Sequence, residues 1–244
     1  MADAASLRRI AIVPAFNEEA CVAQVIDEIR ATDAELDVVV VDDGSQDRTA
    51  EVARGRGVHV LRLPFNLGIG GAVQTGFRYA WENGYELAVR LDGDGQHDPS
   101  QLAAIIAPVV AGEADICVGS RYRERGDGYR STATRRLGIR FLAWMVSDLT
   151  HQRVTDPTSG FQALNRKAIT LFAADYPHDY PEVEALVMLI RHRLRLEEVP
   201  VQMRPRAAGR SSIGTLGSAY YMVKVMLALV VGTFRRKVVP LEEA

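Results

Sequence analysis

The sequence predicts an α/β protein, a mostly parallel sheet with flanking helices, followed by a C-terminal amphipathic helix. Two observations predict the sheet. Apolar runs of strand length alternate with stretches of helical spacing, β-α-β-α-β-α-β-α-β within the first 120 residues, the rhythm of a parallel sheet covered by its crossover helices. Val38 to Val41 is a continuous β-branched run, as expected of a strand buried on both faces. A third observation predicts the last helix: Leu216 to Phe234 is mostly apolar but is broken by Gly217, Ser218, Lys224, Gly232 and Thr233.

Taken in order, Ile10 to Val13 is a short apolar strand ending at Pro14. Glu18 to Arg30 has helical spacing, with Val22, Val25, Ile26 and Ile29 on one face. The strand Val38–Val41 follows, Val58 to Leu63 alternates, and Ile69 to Trp81 reads as helix. Leu87 to Leu91 is a strand, Pro99 to Val110 a helix, and Asp115 to Gly119 another strand. Gly126 to Arg140 is a basic loop leading into a helix near Leu137 to Leu149. Leu194 to Met203 reads as a late strand and Arg204 to Ser212 as a second basic loop. No internal repeat divides the chain, which predicts one domain over residues 1–212 and a C-terminal helix over 213–244.

Composition narrows the function classes. The 244 residues carry 29 Lys+Arg against 31 Asp+Glu, a net charge of −2, without the basic footprint of a nucleic-acid binder. Only two cysteines occur, Cys21 and Cys117, which excludes a disulfide scaffold and fits two small buried hydrophobes in a reducing compartment. Met1 to Arg9 lacks the apolar core of a signal peptide, so a cytoplasmic location is expected. The longest strictly apolar run near the C-terminus, Val225 to Val231, has seven residues, against about 20 for a membrane span. Its two sides differ: Tyr220, Lys224, Ala228 and Arg235 against Met222, Val225, Met226 and Leu229, with Arg235-Arg236-Lys237 next. Such a helix suits either a membrane surface or the core.

In open parallel sheets, ligands gather beyond the carboxyl ends of the strands. There the sequence places Pro14-Ala15-Phe16-Asn17-Glu18, Asp42-Asp43-Gly44-Ser45 and Asp92-Gly93-Asp94-Gly95-Gln96. Two carboxylates separated by one glycine can turn toward one hard cation, with Gln96 as a neutral oxygen, leaving the rest of a Mg2+ or Mn2+ shell to water and phosphate. The same residues also make ordinary turns. Asp42 and Asp43 are adjacent charges that call for a partner, while Ser45 or Asp47 is placed to cap the next helix. Asn66-Leu67-Gly68-Ile69-Gly70-Gly71-Ala72 lacks the last glycine of a dinucleotide fingerprint, because Val73 stands there, and it follows the third strand.

In order and spacing, these segments resemble the family 2 glycosyltransferases of the GT-A fold. Asp156-Pro157-Thr158-Ser159-Gly160-Phe161 and Arg206-Ala207-Ala208-Gly209-Arg210-Ser211 extend the likeness toward dolichyl- and polyprenyl-phosphate sugar transferases. The resemblance implies that Pro14, Phe16, Glu18, Asp43 and Asp92 bind a GDP- or UDP-hexose donor. It implies that Asp92, Asp94 and Gln96 hold Mg2+ or Mn2+ on the diphosphate. It also implies that Arg121, Arg135, Arg136, Arg206, Arg210 and Ser211 meet phosphates of donor or acceptor, with Asp94, Asp156 and Arg121 at the reacting centre. Ser212 stands where relatives often carry Lys, leaving Arg210 as the nearby cation.

The expected activity is therefore inverting transfer of a hexose to a polyprenyl phosphate, by a chain peripheral on the cytoplasmic face of the membrane, where a membrane partner subunit could supply spanning helices. A phosphate acceptor is already ionised at neutral pH, its second pKa being about 6. A hydroxyl acceptor on a cell-envelope glycan or small molecule would need a base, with Asp156, Glu182 and Glu184 the candidates. Of the five histidines, only His97 falls beside the expected metal residues. An idle nucleotide-sugar-binding or membrane scaffold protein is the alternative from another class; the Asp92/Asp94 pair argues against it. A nucleotidyltransferase would want a basic glycine-rich loop where Phe16-Asn17-Glu18 stands.

Overall fold

The computed structural model describes residues 7–123, 133–150, 152–178 and 181–205, without the side chains of 133–137, 149, 150 and 190. Seven strands form one sheet: β1 (Arg9–Ala15), β2 (Asp37–Asp42), β3 (His59–Arg62), β4 (Leu87–Arg90), β5 (Ile116–Ser120), β6 (Gln162–Asn165) and β7 (Leu196–Pro200). Their order is β3-β2-β1-β4-β6-β5-β7. Every pairing is parallel except those of β6, which runs antiparallel to both β4 and β5. The mostly parallel sheet was legible in the sequence. The reversed β6 was not, because Gln162-Ala163-Leu164-Asn165 is short and polar at both ends.

Helices α1 (Val22–Thr32), α2 (Thr49–Gly55) and α4 (Leu102–Val110) cover one face, and α3 (Gly68–Glu82), α5 (Ala133–Thr150), α6 (Arg166–Ala174) and α7 (Pro181–Arg191) the other. Alternation along each strand feeds both layers. Ala11 and Val13 join Val25, Ile26 and Ile105 on one side, while Ile10 and Ile12 join Val73, Phe77 and Phe172 on the other. Helix α3 lies so close to β1 that a Cβ on Gly76 would stand 2.2 Å from Ile12 Cγ2, so only glycine fits that crossing.

Most boundaries fall within a few residues of expectation. Helix α1 starts later than the spacing predicts, at Val22 rather than Glu18, because Asn17 takes a left-handed conformation (φ 55) and residues 18–21 form a turn. The expected helix from Pro99 opens as a 3-10 turn, Pro99–Gln101, before α4. The boundary at residue 212 and the helix of 213–244 lie outside the described residues. No described helix is long and apolar enough to cross a membrane.

Candidate active site

The loops at the carboxyl ends of β1, β2 and β4 meet at one rim. Asn17 N donates to Ser45 Oγ (2.9 Å), and Gln46 N donates to Asn17 Oδ1 (2.9 Å). Glu18 N donates to Thr49 Oγ1 at 2.8 Å. These bonds latch the loop of 14–19 to that of 43–49 and hold Asn17 in its strained conformation. Pro14 is buried in β1, Phe16 is 43% exposed, and Glu18 is half-buried between them and α1.

The adjacent aspartates find partners inside the protein. Asp42 is buried; its Oδ1 accepts from Ser45 N (3.0 Å) and its Oδ2 faces Arg62 Nε at 3.3 Å. Asp43 Oδ1 accepts from Leu67 N at 2.7 Å, at the start of α3. Burial raises the Asp43 carboxyl above its ordinary range, while the Leu67 and Gly68 N–H groups oppose the shift. The charge pair thus fastens β2 to β3 and α3. Neither Ser45 nor Asp47 occupies the capping place: Arg48 is the N-cap of α2 without a side-chain cap bond, and Asp47, one residue earlier, accepts from Thr49 N through Oδ1 at 2.9 Å.

The loop after β4 is built around His97. The buried imidazole accepts from Asp92 N through Nδ1 (2.9 Å) and stacks on Phe161 at 5.1 Å. Burial lowers its pKa, against the pull of Asp92 and Asp94; the ring is neutral and shapes the loop from inside. Asp94 is buried, with Oδ1 accepting from Gln96 N at 3.0 Å, while the Asp92 side chain is 33% exposed. Gln96 O accepts from Arg204 N at 2.9 Å, and Arg204 reaches Glu28 and Asp98. The turn predicted from Asp-Gly-Asp and the carboxylate pair therefore coexist. Hard oxygen donors of this kind fit Mg2+ or Mn2+. Among the described residues no three acidic, His or Cys side chains converge to hold an ion alone, so the remaining ligands would come from a diphosphate and water.

Behind Asp92 lies a residue that sequence reasoning missed. Arg90 is 1% exposed; its Nη2 donates to Glu182 Oε1 (2.8 Å) and Asp92 Oδ1 (3.3 Å), and Nη1 faces the Tyr176 hydroxyl at 3.4 Å. Burial alone would lower the guanidinium pKa, but Asp92 and Glu182 reverse this and raise it. The signal was available: an arginine interrupts the apolar strand Leu87-Ala88-Val89 just before the aspartates. Glu182, considered above as a base, is spent on this cation; Glu184, two residues on, is half-buried on a different side of α7.

On the other side, Arg121 follows β5 and clamps Asp156. Nε meets Oδ2 at 2.6 Å and Nη2 meets Oδ1 at 2.7 Å, and the Arg121 N–H also reaches Oδ2 (3.1 Å). Thr158 Oγ1 adds a donor to Asp156 Oδ1 at 3.0 Å. Glu198, buried in β7 and also missed by the sequence, receives Thr155 N, Thr155 Oγ1 and Asp156 N at 2.7–3.0 Å. It holds the segment that presents Asp156. Arg135 and Arg136 lie in the first turns of α5, with side chains outside the described set; Arg206, Arg210 and Ser211 lie outside the described residues altogether.

Residues 10–190 match the model of glycosyl transferase family 2. Undecaprenyl-phosphate mannosyltransferase of Micrococcus luteus is 31% identical over 227 residues, 87% of this chain and 91% of that one. UDP-N-acetylglucosamine–dolichyl-phosphate N-acetylglucosaminyltransferase of Methanococcus voltae is 28% identical over 210 residues, 78% and 83% of the two chains. Among solved structures, glucosyl-3-phosphoglycerate synthase of Mycobacterium tuberculosis, in complex with Mn2+, uridine diphosphate and glucosyl-3-phosphoglycerate, superposes with a TM-score of 0.73. It is 22% identical, with 95% of this chain and 82% of that one covered, and it has the same fold.

Proposed function

The chain belongs to glycosyl transferase family 2, and from that premise we propose that it transfers a hexose from a UDP- or GDP-sugar to a polyprenyl phosphate. Pro14, Phe16, Glu18 and the rim beside Asp43 would receive the nucleoside. Asp92 and Asp94, with Gln96 beside them, would hold Mg2+ or Mn2+ on the donor diphosphate. The relatives named for undecaprenyl- and dolichyl-phosphate transfer support the acceptor class, and Mn2+ bound with uridine diphosphate in the structural neighbour supports the cofactor class.

In the reaction, an acceptor phosphate oxygen forms a bond to the sugar anomeric carbon as the bond from that carbon to the diphosphate breaks. The nucleoside diphosphate leaves with the electron pair. A bound divalent ion supplies Lewis-acid stabilisation of that leaving charge. The protein contributes fixed geometry: the latched loops orient the nucleoside, and the rigid turn of 92–97 orients two carboxylates. Arg121, held on Asp156, fixes the segment after β5 at the rim.

One observation carries the choice of acceptor. Four hydrogen bonds, three from Arg121 and one from Thr158, converge on the Asp156 carboxylate, filling its approximately four lone-pair sites. Asp156 then serves as the anchor of Arg121, and a base-free reaction suits a phosphate that is ionised at neutral pH. We place the protein on the cytoplasmic face of a membrane, where such a lipid lies, with the residues after 212 and a membrane partner subunit as candidate anchors.

The test is a panel of nucleotide sugars with Mg2+ or Mn2+ and a short polyprenyl phosphate, scored for the lipid-linked sugar by mass spectrometry. Transfer from one donor, lost in Asp94→Asn, is expected. Transfer only to a glycan or small-molecule hydroxyl, or donor binding without turnover to any acceptor, would overturn the proposal.

A further inference from the structure

Arg90 poses a problem that the transfer reaction does not absorb. A fully buried cation sits directly behind the half-open aspartate of the metal loop, and a single nitrogen, Nη2, serves both Glu182 and Asp92. Its Nε is buried with no hydrogen-bond partner among the described residues. An arginine placed for its own satisfaction would use that donor, since orphaned buried polar groups are unfavourable. This one leaves it idle and commits Nη2 to two carboxylates. Packing enforces the choice, because a Cβ on Gly160 would stand 2.9 Å from Nη2 and 3.3 Å from Asp92 Oδ2. Three elements hold the group together: β4 supplies Arg90, α6 is followed by Tyr176, and the first turn of α7 supplies Glu182.

We propose that Arg90 and Glu182 form a charge-setting pair that positions Asp92 and determines how tightly it holds a divalent ion; the inference rests on the reading of Asp92 as a ligand. The two members act with opposite signs. Arg90 places a positive charge beside a ligand oxygen and so weakens cation binding while fixing the carboxylate's orientation. Glu182 draws that charge away and returns electron density to Asp92. Glu182 is thus a positioning residue, not a base. With Arg90 present, the Asp92/Asp94 pair alone is a weak cation site, which becomes strong once the negative diphosphate arrives.

The experiment measures Mn2+ affinity of the full chain by electron paramagnetic resonance, with Mn2+ alone and with Mn2+ plus UDP. Loss of a unit charge this close to a divalent ion shifts affinity at least about threefold even with strong solvent screening. Glu182→Gln, which leaves Arg90 with Asp92 as its remaining anionic partner in the cluster, is expected to weaken Mn2+ binding by that factor. Arg90→Gln is expected to tighten it. The double variant Arg90→Gln/Glu182→Gln, which leaves no lone buried charge, is expected to return to within about twofold of the parent because the two charge effects cancel. A purely structural role would lower folding stability in all three and leave Mn2+ affinity unmoved, or shift it one way. Shifts of the same sign, or none, would overturn the proposal. Should Arg90→Gln fail to fold by circular dichroism, Glu182→Gln and the double variant decide it. Asp92→Asn separates the two levels of argument. If it leaves Mn2+·UDP binding intact, the ligand reading itself fails; if it weakens binding while the pair variants do not diverge, only the charge-setting inference fails.

Discussion

Gly160→Ala perturbs the site by one methyl group, and the structure fixes where that group goes. The added Cβ would lie 2.9 Å from Arg90 Nη2, 3.1 Å from Arg90 Cζ and 3.3 Å from Asp92 Oδ2. Arg90 cannot swing aside, being buried and bonded to Glu182. The strain must be relieved by moving the segment of 158–161 or the metal loop by a few tenths of an ångström. Overpacking of this kind costs about 1–3 kcal/mol, and about 2 kcal/mol lowers Tm by roughly 4–8 °C in a domain of this size. Because part of the displacement falls on Asp92, the rate of sugar transfer is expected to drop about fivefold or more. Differential scanning calorimetry and initial rates at saturating donor measure the two effects. A variant with parental Tm and parental rate would refute the claim that Gly160 is required by close approach to Arg90 and Asp92.

Other expectations follow from the same geometry. Asp156→Ala strands Arg121, which is 6% exposed in the pair, and should cost about 3–5 kcal/mol in urea unfolding; a loss under about 1 kcal/mol would show that the pair does not hold the loop. Burial pushes the Cys117 thiol up to about 12, leaving about one thiolate in ten thousand at pH 8, so iodoacetamide should label it only after denaturation, and labelling of the folded chain at a free-thiol rate would contradict this. The Asp115 carboxyl is lowered: burial opposes the shift, but the Arg195 N–H, Asn165 and the Arg195 side chain outweigh it. Its stabilising contribution is therefore present above the unfolded value of about 3.9 and lost as pH falls through the lower folded value. Wild type should lose more stability than Asp115→Asn between pH 7 and pH 3, and parallel losses would count against the assignment.

Every strand but β6, and the rim motifs, were legible because their signals are local. Val38–Val41 is apolar at every position, the helices repeat their apolar residues every three or four places, and each carboxylate cluster follows a strand directly. Where the reading stopped, distant partners had decided the matter. Asp42 and Asp43 read as charges awaiting a ligand, yet Arg62 and the start of α3 engage them. Glu182 read as a candidate base, and it is the counter-ion of an arginine 92 positions earlier.

The sequence by itself determined the alternation of strands and helices, the sheet's apolar faces and the aspartates at its carboxyl rim, since each follows from side chains within a few positions of one another. Only the tertiary structure decided which charges neutralise each other: Arg90 with Glu182 and Asp92, Arg121 with Asp156, Glu198 with the backbone of 155–156. A buried charge must find an opposite charge or a donor in the space around it. That space is filled by elements brought together by chain topology, β6 reversed between β4 and β5 above all, and no window of neighbouring residues contains it.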